Sequence, residues 1–348
     1  MQSFLQGDRH VKKSLGILFA LMFAFALTSG AQDKPPLKLV TTTPLPGFTG
    51  DFDHFAVDLQ GKRLFLTSED HKTVEVFDLE GKHLHSIAGF GQPHAAVVLS
   101  DGNVIVTDGD GFGRVALVDG KTYKILNSIK LPNGVDGAVY NPVEQYYYVE
   151  SGGDDPNNKT HVINIIDTKA FKLVGTIPLP GSHSEAMAID RAGKKMYINL
   201  TGADQVGVVD LTTRKLISQW PVPDAQTANA IVLDEPNHRV FIATRKPAKF
   251  FVYDTDTGKV VATLPTAEMH DDMWFDVARK RIYVTGTETT AIMQQLDADH
   301  YAHVADVTTG YRAKTSIFVP ELNRLYIAVS GKGKPDAKLA LQVYEIQP

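Results

Sequence analysis

Residues 38–47 read KLVTTTPLPG and residues 172–181 read KLVGTIPLPG, identical at eight of ten positions. A segment near the start of the chain copies one from its middle, so an internal repeat is sought before any single element is assigned. One pattern recurs seven times: KRLFLTS, GNVIVTD, QYYYVES, KKMYINL, HRVFIAT, KRIYVTG and NRLYIAV. Anchored on Leu66, Val106, Val149, Ile198, Ile242, Val284 and Ile327, the copies step by 40, 43, 49, 44, 42 and 43 residues.

Within each copy, short runs rich in Val, Ile, Tyr and Phe alternate with turn residues, which is the strand signal. The apolar runs are nearly continuous, so both sheet faces are expected to be buried. Asp78, Asp119, Asp167, Asp210 and Asp254 begin the turn after the third strand. A carboxylate there accepts main-chain N–H groups two residues on and nucleates the turn. The sixth copy, QQLDADHY, departs from this rule. Four short strands every 40–45 residues are the signature of a β-propeller blade.

The outermost strand of six copies reads KHLHSIAGFG, KILNSIKLPN, KLVGTIPLPG, KLISQWPVPD, KVVATLPTAE and HYAHVADVTTG. The last copy, residues 311–348, stops at LALQVYEIQP without one. Residues 38–47 are the missing strand. The sequence therefore predicts an all-β, single-domain, seven-bladed β-propeller of four antiparallel strands per blade, its ring closed by the N-terminal strand. The blades are expected at about 51–91, 92–133, 134–181, 182–224, 225–268, 269–310 and 311–348. Closure of this kind leaves no open sheet edge between first and last blades.

The second-strand motif lacks the WD dipeptide and resembles the YVTN family of propeller repeats, with RIYVTG and NVIVTD carrying the likeness. The segments ADHYAHVADV, TSIFVPELNRLYIAV and HDDMWFD look like exported bacterial members of that group, whose activity is unknown. The resemblance implies fold and compartment and supplies no reaction.

The remaining bounds come from composition. The 348 residues are 43% apolar and 22% charged, ordinary for a folded chain, and the net charge of −5 with no basic run argues against nucleic acid as a partner. There is no cysteine, hence no disulfide and no thiolate metal site. Lys12 and Lys13 precede LGILFALMFAFAL and then TSGAQ, the pattern of a signal peptide cleaved after Ala31. The apolar run is short for a membrane span, which needs about 20 residues. The expected protein is 32–348, periplasmic or secreted, monomeric, with no stable membrane span.

Propellers bring the starts of the innermost strands and the loops after the second strands to one face around a central channel. Aligned on the anchors, Asp53, Pro93, Asp136, Glu185, Asn229, Asp271 and Lys314 occupy one position and His54, His94, Gly137, Ala186, Ala230, Asp272 and Thr315 the next. Asp51, His183, His270 and Arg312 lie just upstream. Such a polar collar at a channel mouth is a favoured ligand site.

Three chemistries follow. Asp53, Asp136, Glu185, Asn229 and Asp271 offer oxygen ligands for Ca²⁺, Mg²⁺ or Mn²⁺, and the histidines would admit Zn²⁺. Arg245 and Arg312 are placed to clamp an anion. His54, His94, His183, His270 and Asp272 complete the expected small-molecule site, with the adjacent acids Asp271 and Asp272 demanding a cation or a raised pKa. By analogy with gluconolactonase-type propellers, a metal here would make a lactonase-like hydrolase. The remaining alternative is a scaffold for another envelope protein. The Gly/Pro-rich stretches SGGDDPNNKTH and SGKGKPDAK are expected as long loops on the same face.

Overall fold

The structure, a computed structural model, describes residues 35–152, 161–334 and 336–348. The expected signal peptide, and most of the SGGDDPNNKTH loop, lie outside the described residues. The described residues form seven sheets, each of four antiparallel strands. Among the described residues, helix is confined to three short 3₁₀ turns, Thr201–Ala203, Glu235–Asn237 and Pro320–Leu322. Among the described residues, no helix is long and apolar enough to cross a membrane.

The first blade shows the plan: Phe55–Asp58 innermost, then Arg63–Ser68, Thr73–Asp78 and His83–Ile87 outermost. The innermost strands of the next six blades are Pro93–Val98, Ala138–Asn141, Met187–Ile189, Gln226–Asp234, Asp272–Asp276 and Thr315–Val319. In the last sheet, Leu37–Pro44 pairs antiparallel with Ala340–Ile346, Leu37 opposite Ile346 and Pro44 opposite Ala340. The N-terminal segment thus takes the outer position of the C-terminal sheet.

Second and third strands are buried on both faces, as their continuous apolar runs require. Outer strands alternate and keep one face in water. Buried side chains gather between neighbouring sheets. Leu45, Phe52, Phe55 and Leu64 meet Ile317, Tyr326, Leu341 and Val343 between the first and last blades.

The turn aspartates behave as their chemistry dictates. Asp254 Oδ1 accepts the N–H groups of Asp256 at 3.1 Å and Thr257 at 2.8 Å, and Asp78, Asp119, Asp167 and Asp210 do the same. The sixth blade departs only in position. Asp297, two residues beyond its third strand, accepts from the N–H groups of Asp299 at 2.8 Å and His300 at 2.9 Å.

A second recurrent device joins the blades. Where the residue after a second-strand anchor carries a hydroxyl or amide, it bonds the innermost strand of the next blade or the residues just before it. Thr67 Oγ1 donates to the His94 carbonyl at 2.6 Å, Thr107 Oγ1 to that of Asp136 at 3.2 Å and Asn199 Nδ2 to that of Ala230 at 3.0 Å. Main-chain bonds continue the ring: His54 N–H to the His94 carbonyl (3.1 Å), Ala186 N–H to that of Asn229 (3.3 Å), and the N–H groups of Asp271 and Asp272 to that of Lys314 (3.3 and 3.2 Å). These bonds hold the strand starts side by side and give the channel mouth a fixed geometry.

Candidate functional site

A cavity of about 170 Å³ at the mouth is lined from all seven blades. Asp51, Asp53, His54 and Glu69 come from the first, His94 from the second and Asp136 from the third. Glu185 follows from the fourth, Asn229 and Arg245 from the fifth, Asp271 from the sixth, Arg312 and Lys314 from the seventh. The collar residues expected from the repeat alignment are therefore neighbours in space.

The acids do not stand alone. His94 Nδ1–H donates to Asp53 Oδ2 at 2.7 Å and lies 3.4 Å from Asp136 Oδ1. His54 Nδ1 is 3.1 Å from Asp272 Oδ1, and its Nε2 is 3.6 Å from Asp53 Oδ1. Asp271 is ion-paired with both Arg245 and Lys314. Arg312 Nη2 reaches Asp51 Oδ2 at 2.5 Å. His183 Nε2 bonds Glu185 Oε1 at 2.9 Å.

Burial disfavours charge on these imidazoles, yet the carboxylates win. Asp53 and Asp272 push His54 up to about 10. Asp136 and the Asp53 bond push His94 to about 10, and Glu185 pushes His183 to about 9. All three are imidazolium near neutrality. Burial works to raise Asp53, but His54, the His94 bond and Lys314 hold it well below the usual carboxylate range. Asp136 is raised, by burial first and then by Asp53 and Glu185, against His94. The collar thus supplies most of its own counter-charge.

Three expected site residues sit elsewhere. Asp272 faces the channel below the mouth and accepts the Ser316 N–H at 2.7 Å. His183 borders a neighbouring cavity with Gln92 and Asp136. His270 is fully buried and its ring does not line the mouth; Met269, at φ +50°, turns the chain just before it. Its Nδ1–H donates to the Ala267 carbonyl at 2.8 Å, and its own carbonyl accepts Arg245 Nε–H at 2.8 Å. It positions Arg245. Burial, with Arg245 adding to it, lowers its pKa to about 4, so it is neutral.

The five-ligand metal set is likewise modified by the ion pairs. Asp271 is committed to two cations and Glu185 to His183. Among the described residues, the three that bring ligand atoms within 4.8 Å of one another are Asp53, His94 and Asp136. The expected anion clamp is also engaged, since Arg245 and Arg312 each face an acid.

Two residues escape the sequence reading. Glu69 follows the second strand of blade 1, the loop class that flagged Arg245, and aligning those loops would have found it. Glu150 stands where the other six copies carry Thr67, Thr107, Asn199, Ala243, Thr285 and Ala328. That lone acid was the available signal. It is fully buried; Ser184 Oγ lies 3.1 Å from Glu150 Oε2 and 3.0 Å from His161 Nε2, and His161 Nδ1–H donates to the Pro180 carbonyl at 2.9 Å. Burial first, then Asp136, push Glu150 well above the usual carboxylate range, while burial pushes His161 down. Ser184 Oγ–H thus faces two acceptors, Glu150 Oε2 and His161 Nε2, and Glu150 Oε1 has no partner among the described residues.

No family model matches the chain. Over 166 residues it is 26% identical to the uncharacterized protein YncE of Escherichia coli O157:H7 and to that of strain K12. That match spans 44% of this chain and 46% of each relative, less than half the length of either. Among solved structures, the fold is similar to a chain of Kuenenia stuttgartiensis hydrazine synthase, with TM-score 0.70, 18% identity and coverage of 82% of this chain and 96% of that one. It is also similar to a chain of a mitotic checkpoint complex, with TM-score 0.74, 13% identity and coverage of 97% and 100%. At such identities the likeness concerns the fold alone.

Proposed function

We propose that this chain is an exported propeller that binds a small polar ligand at the channel mouth. The observation that carries the reading is convergence with vacant hydrogen-bonding capacity. Side chains from seven blades meet at one cavity, and two buried oxygens there, Asn229 Oδ1 and Asp51 Oδ1, have no partner among the described residues. Buried polar atoms are seldom left without one, and a donor group on a ligand would satisfy both. The test is a calorimetric screen of polar solutes against the mature protein, repeated with Asn229→Ala and Asp136→Asn. Hits should weaken about tenfold or more in both variants, the scale of a lost hydrogen bond to a buried or charged group. Unchanged affinity for every hit would overturn the assignment. Export rests on the leader-like segment, and the N-terminal sequence of the protein recovered from the cell envelope tests it.

One observation favours a second reading, a metal-held ligand. Asp53, His94 and Asp136 form a mixed nitrogen and oxygen set suited to Zn²⁺ or Mn²⁺ more than to Ca²⁺ or Mg²⁺. An ion there would replace the proton on His94, and these residues would hold it. When bound, such an ion polarises a carbonyl, the property a lactonase-like activity needs. Elemental analysis of the protein beside Asp136→Ala decides this: a stoichiometric metal lost in the variant supports it, and none in either sample ends it.

A further inference from the structure

Below its charged mouth the channel changes character. A second cavity, about 300 Å³, is walled mainly by Phe55, Ala96, Val139, Met187, Ile231 and Trp274, with Asp272 and Ser316 on one side. It shares His54, Gly137, Ala186 and Asp271 with the mouth, so the two adjoin. Trp274 Nε1–H donates to Ser316 Oγ at 3.1 Å, which fixes the indole in the wall. The volume equals that of about ten waters at ~30 Å³ each, room for a hydrocarbon tail of roughly eight carbons. A cavity with an apolar body and polar groups at one end is the form of a ligand pocket.

The mouth also distinguishes the sign of a head group. Its three permanent cations are spoken for: Arg245 and Lys314 by Asp271, Arg312 by Asp51. On the opposite flank, Asn229 Oδ1 has no donor among the described residues. Asp136 has only His94 at 3.4 Å. What is left over is acceptor capacity.

We propose that the ligand is an amphiphile, a hydrogen-bond-donating cationic head at Asp136 and Asn229 with an unbranched alkyl tail running down the channel. The inference rests on the mouth-site reading above and names its ligand class. Each methylene that leaves water for the channel tightens binding about fourfold, until the tail outgrows the cavity.

The test is a calorimetric series on the mature protein with methyl-, butyl-, hexyl- and octylammonium, and with octanoate as the opposite-sign control. Affinity should climb about fourfold per methylene, with octanoate far weaker than octylammonium. Ala96→Leu and Ile231→Ser should each flatten the tail-length dependence while leaving the methylammonium affinity of the mouth within a few fold; the two change bulk and polarity separately, so a folding defect in one leaves the other to report. Asn229→Ala should weaken every member equally. Affinity independent of tail length would overturn the amphiphile and leave the mouth site standing. Octanoate binding more tightly than octylammonium would overturn the head group. Failure of the whole series beside a polar solute that binds would overturn the ligand class, and failure of every solute would take the mouth-site reading with it.

Discussion

Leu45→Ala tests whether the N-terminal segment is part of the cooperative fold. Leu45 is 4% exposed, and its N–H donates to the Leu339 carbonyl at 2.9 Å. Its side chain packs where the first blade's Phe52, Phe55 and Leu64 meet the last blade's Ile317, Leu341 and Val343. Buried Leu→Ala changes cost about 2–5 kcal/mol, the lost transfer energy plus the cavity left behind. At this size each kcal/mol lowers Tm by about 2 °C, so a fall of ~4–10 °C is expected. The internal standard is Leu131→Ala. Leu131 occupies the same repeat position at the end of the second blade's outer strand, is 3% exposed, and packs with Val115, Val135 and Tyr147 between blades 2 and 3. If the terminal strand locks the ring, the two variants melt alike by calorimetry, each in one transition. Leu45→Ala melting within 1 °C of the parent, while Leu131→Ala falls by the expected amount, would refute the reasoning.

Three further outcomes follow from the electrostatics. His54 and His94 are held at about 10 against an ordinary 6.5, so their pairing contributes fully below about pH 6.5 and is lost as pH rises through 10. Denaturant titrations should show stability falling between about pH 7 and 10.5, and a His54→Gln/His94→Gln double variant should be flatter there; a parent curve level to pH 10.5 counts against the ion pairs. Glu150 is raised, so its contribution is likewise present at low pH and lost as pH climbs through its folded value; Glu150→Gln should match the parent near pH 5 and melt higher near pH 9, and a lower Tm at both would show that the buried group is a carboxylate. Asp271→Asn leaves Arg245 and Lys314 without their shared acid, and breaking a buried pair costs about 3–5 kcal/mol; with all three side chains still slightly exposed the lower end is expected, and adding Lys314→Met should recover part of the loss.

What was legible in the sequence and what was not divides along one physical line. Features written seven times were readable. The KRLFLTS-type strands, the turn aspartates and the displaced KLVTTTPLPG strand each repeat a local chemistry, so alignment alone places Asp53, Asp136, Glu185, Asn229 and Asp271 around one axis. Even Asp297 obeys the turn rule, shifted because the third strand of blade 6 is followed by an extra residue pair. Features set by partners on other blades were not readable. Nothing in HDD announces that Asp271 is held by Arg245 and Lys314 while Asp272 bonds His54. Nor does the sequence show that a +50° φ at Met269 precedes a His270 buried behind Arg245. The repeat therefore specifies the scaffold, and departures from the repeat specify the site. Glu150 is such a departure: Thr67, Thr107 and Asn199 use that position to bond the next blade, and an acid there meets the fourth blade by accepting the Ser184 hydroxyl. A position that carries a hydroxyl, an amide or alanine in the other copies thus holds a buried titratable group beside Asp136.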